Sequence, residues 1–336
     1  MRAPGANDPG PPGSSAASDG LSVAVEVSAI GHGSHDQREF VGFALAAIRS
    51  DDTIRATTWS RRWLRSHDRL DGADPSRLGW LVARATLLGI APRASWVAPR
   101  ARVSFLASGP APVRVDAPGV ITIHSVAEVL RIAAAGFSAR SAGAQLRRSV
   151  GEGVIVHAVC HAAADAAVSE LELDRASVVV AHPGLGRPRT TSSHSTSIGV
   201  VAGANPSLDA ATVDAIQRRG GPAELIDATE ATSSRPCIVF PSPGDGFHFG
   251  ALKALAADVP VVASRTSTTT EILEGAVTLV DSIAAADIAD AAVALATNGA
   301  QRGLALAAGR ARAGDFVCQL RAPDLLAVLR RALAAR

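Results

Sequence analysis

The chain has 336 residues, 47% of them apolar, and a formal net charge of +2. That length suits about two domains of ~100–200 residues each, with enough apolar side chains for sizeable cores. Nearly balanced charge, and no dense basic patch with interleaved aromatics, argue against a nucleic-acid partner. The three cysteines, Cys160, Cys237 and Cys318, form no CxxC pair and no metal spacing. They read as reduced, mostly buried thiols of a cytoplasmic protein.

Residues 1–20 are rich in Pro, Gly, Ser and Ala, lack the apolar stretch of a signal peptide, and read as a disordered tail. LSVAVEVSAI (21–30) is a β-branched run that predicts a strand, the loop GHGSHDQ follows, and 38–50 has helical spacing. TIRATTW (53–59) reads as a strand and SRLGWLVARATLL (76–88) as a helix. Strands are expected at RVSFLAS (102–108), GVITIHS (119–125) and GVIVHAV (153–159). A helix is expected over 127–150, broken at Gly136, and another over 160–173, followed by the strand ASVVVAHPGL (176–185). The polar stretch GRPRTTSSHSTS (186–197) is the candidate linker. Beyond it SIGVVAG, AELIDA, CIVFPS, PVVASR and VTLVD read as strands separated by helical patterns. No apolar run reaches the ~18 residues of a spanning helix, which leaves only peripheral membrane contact open.

Apolar strands alternating with helices imply parallel sheets buried on both faces. The fold class is therefore α/β, with two Rossmann-like, doubly wound domains facing across a cleft. The first covers residues 21–185 and the second 198–336, the last helix packing back on the first domain. In such folds ligands bind outside the carboxyl ends of the strands.

One stretch carries chemistry. PSPGDGFHFG (241–250) is the loop after the strand CIVF, and ALKALAAD (251–258) is the helix that follows. Glycines at 244, 246 and 250 permit tight turns and close approach of a ligand. Free N–H groups at the start of the helix, reinforced by its dipole, favour an anion such as a diphosphate. Asp245 could accept hydrogen bonds from sugar hydroxyls, or be a solvated turn residue.

Residues 241–281, PSPGDGFHFGALKALAADVPVVASRTSTTTEILEGAVTLVD, resemble the nucleotide-sugar site of GT-B glycosyltransferases. The resemblance is to the large retaining family 4, or group 1, type that includes bacterial mannosyltransferases and glycogen synthases. GVITIHSVAEV and the Pro-Gly turn at 183–184 also look like elements of that family. The resemblance implies that His124 and Asp245 hold the donor sugar at the reacting centre. It places Ser242, Gly246, Phe247, Gly250, Ala251, Leu252, Lys253 and Glu271 around the nucleotide. It implies no cofactor and no metal, the nucleotide-diphosphate sugar being the donor substrate and the acceptor unknown.

The departures are specific. The family's two glutamates, eight positions apart, fall on Asp245 and Lys253, the sole lysine of the chain. Lys253 cannot accept a bond from a ribose hydroxyl. The family's His-Asp pair is His124–Ser125, and the glycine before V-P-V-V is Asp258. The Arg/Lys pair aimed at the diphosphate is missing, with Arg187, Arg189 and Arg265 as candidate substitutes. Glu271, three residues after a Thr, reads equally as part of a capping box. His157, His161 and His182 match no metal template and read as structural, while His32 and His35 are candidates to touch an acceptor.

The function expected is hexosyl transfer, of mannose or glucose, from a nucleotide sugar with retention of configuration. A catalytically degenerate GT-B protein acting as a binding or regulatory partner is the alternative, and a nucleotide-sugar epimerase a weaker one.

Overall fold

The computed structural model describes residues 21–60, 93–110, 113–127, 129, 139–186, 191–244 and 246–335. The helix expected at 76–88, the break at Gly136, and Asp245, Arg187 and Arg189 lie outside the described residues. No described helix is long and apolar enough to cross a membrane.

The first lobe is a parallel sheet built from β1 (Leu21–Glu26), β2 (Ile54–Trp59), β3 (Val103–Leu106), β4 (Gly119–Ile123), β5 (Ile155–Ala158) and β6 (Val178–Val180) in the order β2-β1-β3-β4-β5-β6. Strands β3, β4 and β5 are buried at every residue, as a parallel sheet covered on both faces requires. Its helices include α1 (Ala29–His32), α2 (His35–Arg49), α3 (Ala139–Gly151) and α4 (His161–Glu170). Helix α2 starts three residues before the expected position because Ser34 and Gln37 form a reciprocal capping box.

The stretch expected to be a linker contains β7 (Thr191–His194), which pairs in parallel with β10 (Ser233–Ser234). The second lobe then has β8 (Ile198–Val201), β9 (Ala223–Ile226), β11 (Ile238–Phe240), β12 (Val261–Ser264) and β13 (Thr278–Val280), all parallel, in the order β13-β12-β11-β8-β9. Helices α5 (Pro206–Arg218) and α8 (Ala285–Thr297) pack on one another beside a separate small core. Helices α6 (Phe249–Ala256), α7 (Ser267–Leu273) and α9 (Gly299–Gly314) supply residues to the other core, which runs without a break into the first lobe.

In each sheet the chain order reverses once, between β1 and β3 and between β8 and β11. Loops leaving the two strands at such a point diverge and leave a crevice.

The last helix, α10 (Cys318–Ala334), returns to the first lobe and packs against α2 and β3–β5. Leu185 anchors its start: the Leu185 amide donates to the Phe316 carbonyl at 2.5 Å, and the Cys318 amide donates to Leu185 at 3.1 Å. Arg330 pairs with Asp51 farther along. The crossing is close enough to require glycine, since a Cβ on Gly184 would stand 2.6 Å from the Cys318 Cα and 3.0 Å from the Phe43 ring. Gly184→Ala should therefore destabilise the protein by about 1–3 kcal/mol through overpacking. Urea denaturation of the variant measures this, and an unchanged midpoint would show that the crossing yields freely.

Candidate functional site

The start of α2 in the first lobe meets the 241–250 loop of the second. Asp36, in the first turn of α2, accepts hydrogen bonds from the backbone N–H groups of His248 (2.9 Å) and Phe249 (3.2 Å). These are the amides at the start of α6, where the sequence leads one to expect a diphosphate. His248 reaches this position in the left-handed region, with φ 61°, unusual for a residue with a Cβ. Gly246 packs directly on the same carboxylate: a Cβ there would lie 2.7 Å from the Asp36 Oδ2. One turn on, Glu39 forms an ion pair with Lys253 at 2.5 Å, both side chains largely buried.

A matching bond runs in the opposite direction at the other end of the interface. Glu271, on α7, accepts from the backbone N–H groups of His161 and Ala162, each at 2.8 Å, so it caps α4 of the first lobe. His182 Nε2 donates to the same carboxylate at 2.8 Å. The capping box of α7 itself uses Thr266 and Thr269, not Glu271. Glu271 lies inside that helix, which corrects the sequence expectation. Burial works against ionisation of Glu271, but the bonds from His182 and the two amides outweigh it and hold its pKa below the ordinary value.

Two cavities flank these contacts. One, of about 160 Å³, lies where both chain reversals meet. His35 and Asp36 line it from after β1, Val201 to Ala204 from after β8, and Phe240, Ser242, Gly244, His248 and Gly250 from after β11. Ser242 is fixed there by donating to Asp209 at 2.6 Å, and Asp209 in turn accepts from the Gly203 amide at 2.7 Å. The larger cavity, about 390 Å³, is bounded by Ser125 to Ala127, by the first turns of α4, and by Pro243, Gly244 and Thr266 to Thr268. Gly244 borders both. Sequence reasoning missed Asp36, Glu39 and Asp209 in this region. Only the Ser34-x-x-Gln37 cap, which sets where α2 begins, hinted that Asp36 would face out of a helix start.

The sequence-predicted site residues are dispersed by this geometry. Ser242 and Gly250 line the smaller cavity. Phe247, Ala251 and Leu252 are fully buried core residues; the Phe247 ring packs 4.9 Å from Phe249 and 5.5 Å from Phe316. Gly246 and Lys253 serve the contact with α2, and Glu271 serves the cap on α4. His124 lies buried at the end of β4, with Nε2 bonded to the Ala107 carbonyl at 2.9 Å and its ring edge-on to Phe40. The His124 Nδ1 atom has no hydrogen-bond partner among the described residues. Arg265 is paired with Asp281 and Glu274. Asp258 sits in the left-handed conformation, φ 61°, that a glycine adopts without strain, and pairs with Arg310.

No family model matches the sequence, and no curated protein matches it. Solved structures do. A glycosyltransferase from Rickettsia africae superimposes with a TM-score of 0.62 at 10% identity, covering 94% of this chain and 99% of that one. Sucrose-phosphate synthase from Thermosynechococcus elongatus gives 0.66 at 13% identity, covering 94% and 100%. Anabaena HepE in complex with UDP-glucose gives 0.66 at 12% identity, covering 93% and 100%. The fold is GT-B. The interface between α2 and the 241–250 loop is thus the cleft between the two GT-B domains, drawn together here by side chains of the chain itself.

Two outcomes test this account. His157, fully buried between Thr122 and the Ala181 carbonyl, has its pKa pushed down from 6.5 to about 4, chiefly by burial. Below pH 6.5 the unfolded chain takes up a proton that the folded one refuses. Stability present above that pH is therefore lost as pH falls toward 4, by about 3 kcal/mol in all. Urea midpoints against pH measure the slope, and imidazole NMR should find a ring that does not titrate above pH 5. Separately, Lys253→Glu sets a carboxylate against Glu39 and should cost about 1–3 kcal/mol. Glu39→Lys in the same chain should restore most of it. A double-mutant cycle with no coupling would mean that the pair contributes nothing to closure.

Proposed function

We propose that this GT-B protein binds a nucleotide-diphosphate sugar in the interdomain cleft and transfers its hexosyl group to an acceptor with retention of configuration. The observation that supports this most is the position of the smaller cavity at the chain reversals of both sheets, the place where open α/β folds hold ligands. The structures of similar shape add to it, since HepE was solved with UDP and with UDP-glucose. In this reading the nucleotide enters beside Val201 to Ala204 and Ser242, and the diphosphate takes the α6 amides in place of Asp36. Oriented N–H groups there stabilise the charge that develops on the departing phosphate. The hexose lies toward Gly244 and the larger cavity, with Asp245 and His124 holding it.

The charge pattern favours a second reading. Asp36 occupies the anion site, Lys253 stands where the family has a ribose-binding carboxylate, and Arg265 is committed to Asp281 and Glu274. A chain with these contacts suits a catalytically degenerate GT-B protein that binds or regulates a partner. Calorimetric titration with UDP- and GDP-sugars separates the two. The first reading expects saturable binding of at least one of them, tightened about tenfold in Asp36→Ala because the amides are released, which corresponds to about 1.4 kcal/mol. No heat with any nucleotide sugar, in the native chain or in Asp36→Ala, would overturn it and leave the second.

A further inference from the structure

Three side chains that the proposed transfer does not use converge at the far end of the interface. His161 opens α4, His182 follows β6, and Glu271 reaches over from α7. One ligand atom from each lies within 4.8 Å of the others. His182 and Glu271 are already 2.8 Å apart, and the two imidazole rings stand 5.8 Å centre to centre. We propose that His161, His182 and Glu271 form a binding site for a divalent transition-metal ion of the zinc class, joining the two lobes.

The chemistry of the donor set selects the ion. Two imidazoles and one carboxylate suit Zn²⁺, Co²⁺ or Cu²⁺, whereas Mg²⁺ and Ca²⁺ take oxygen ligands. Around a tetrahedral ion with bonds of ~2.0–2.1 Å, ligand atoms stand roughly 3.4 Å apart. The His182–Glu271 pair, 2.8 Å apart, must open by about 0.6 Å to reach that spacing, and the exposed His161 side chain must turn inward to complete the set. The ion takes the place of the hydrogen bond between His182 Nε2 and the Glu271 carboxylate, the neutral imidazole turning an unprotonated Nε2 toward it. Three protein ligands leave one coordination position for water.

The surroundings hold the ligands in place. Amides of His161 and Ala162 orient the Glu271 carboxylate, and Arg312 grips the Glu271 and Ile272 carbonyls at 2.7 and 2.8 Å. Phe247 and Phe316 pack against the His182 ring, at 6.2 and 5.9 Å between centroids. Groups that fix metal ligands in this way commonly change affinity 10–100-fold. Both histidines belong to the first lobe and the carboxylate to the second, so the complete site exists only while the lobes are together. A bound ion therefore stabilises the closed arrangement.

The test is a titration of the full-length protein with Co²⁺, followed by its visible absorption, and then displacement by Zn²⁺. One equivalent should bind with the intense bands of a four-coordinate ion. His161→Ala, His182→Ala and Glu271→Gln should each weaken binding at least ~10-fold. His161→Ala is the decisive variant, because the His161 contribution to the helix cap is its backbone N–H and its ring is exposed; its urea midpoint without metal should match that of the native chain. His35→Ala, at the other cleft end, should bind normally. Zn²⁺ should also raise the native chain's midpoint by mass action, and not that of His161→Ala. No binding at millimolar ion, equal binding by His161→Ala, or loss of binding in His35→Ala would each overturn the proposal.

Discussion

A helix that begins against another part of a protein must find acceptors for its first N–H groups, and here each lobe supplies them to the other. Asp36 of the first lobe caps α6, and Glu271 of the second caps α4. Hydrogen bonds to a charged group contribute about 1.5–3 kcal/mol each, and the helix dipoles add to them. Crossing in opposite directions at two ends of the interface, these bonds resist both opening and sliding. The Glu39–Lys253 pair and the returning helix α10 fasten the same arrangement elsewhere. A continuous apolar core runs behind them from one lobe into the other.

That constraint gives a physical reason for residues that look out of place when the sequence is read alone. Lys253 has Glu39 facing it. A Cβ at Gly246 would crowd the Asp36 carboxylate that the loop packs on. Asp258 adopts a left-handed conformation more usual for glycine, and Arg310 binds its carboxylate. Such residues form pairs across long sequence separations. A motif reading sees one partner only.

This also marks what the sequence could reveal. The strands were legible because they are short apolar runs ended by Gly, Pro or polar turns, and each expected strand within the described residues is present. The two-lobe architecture followed from their alternation with helices. Helix starts were less legible: the α2 cap at Ser34 and the α7 cap at Thr266 depend on side-chain bonds of one or two residues. The site was legible as a loop, not as a set of contacts. Phe247, Ala251 and Leu252 carry the motif's spacing but face the core: Ala251 and Leu252 lie on the inward face of α6, and the Phe247 ring in the loop before it packs on Phe249 and Phe316. The caps made by Asp36 and Glu271 were hidden for the opposite reason. The amides they hold are 212 and 110 residues away, and a backbone N–H has no side-chain identity to advertise it.

The same bonds set a limit on ligand affinity. An anion that needs the α6 amides must first displace Asp36, and its intrinsic affinity is reduced by the fraction of molecules in which those amides are free. If the Asp36 contact stabilises the filled state by about 1.4 kcal/mol, the apparent dissociation constant rises roughly tenfold. A diphosphate carries more charge than one carboxylate and gains accordingly from the helix dipole, so displacement is physically open to it. A neutral ligand has no such compensation. Among ligands that would need the α6 amides, the Asp36 carboxylate therefore favours anions over neutral groups.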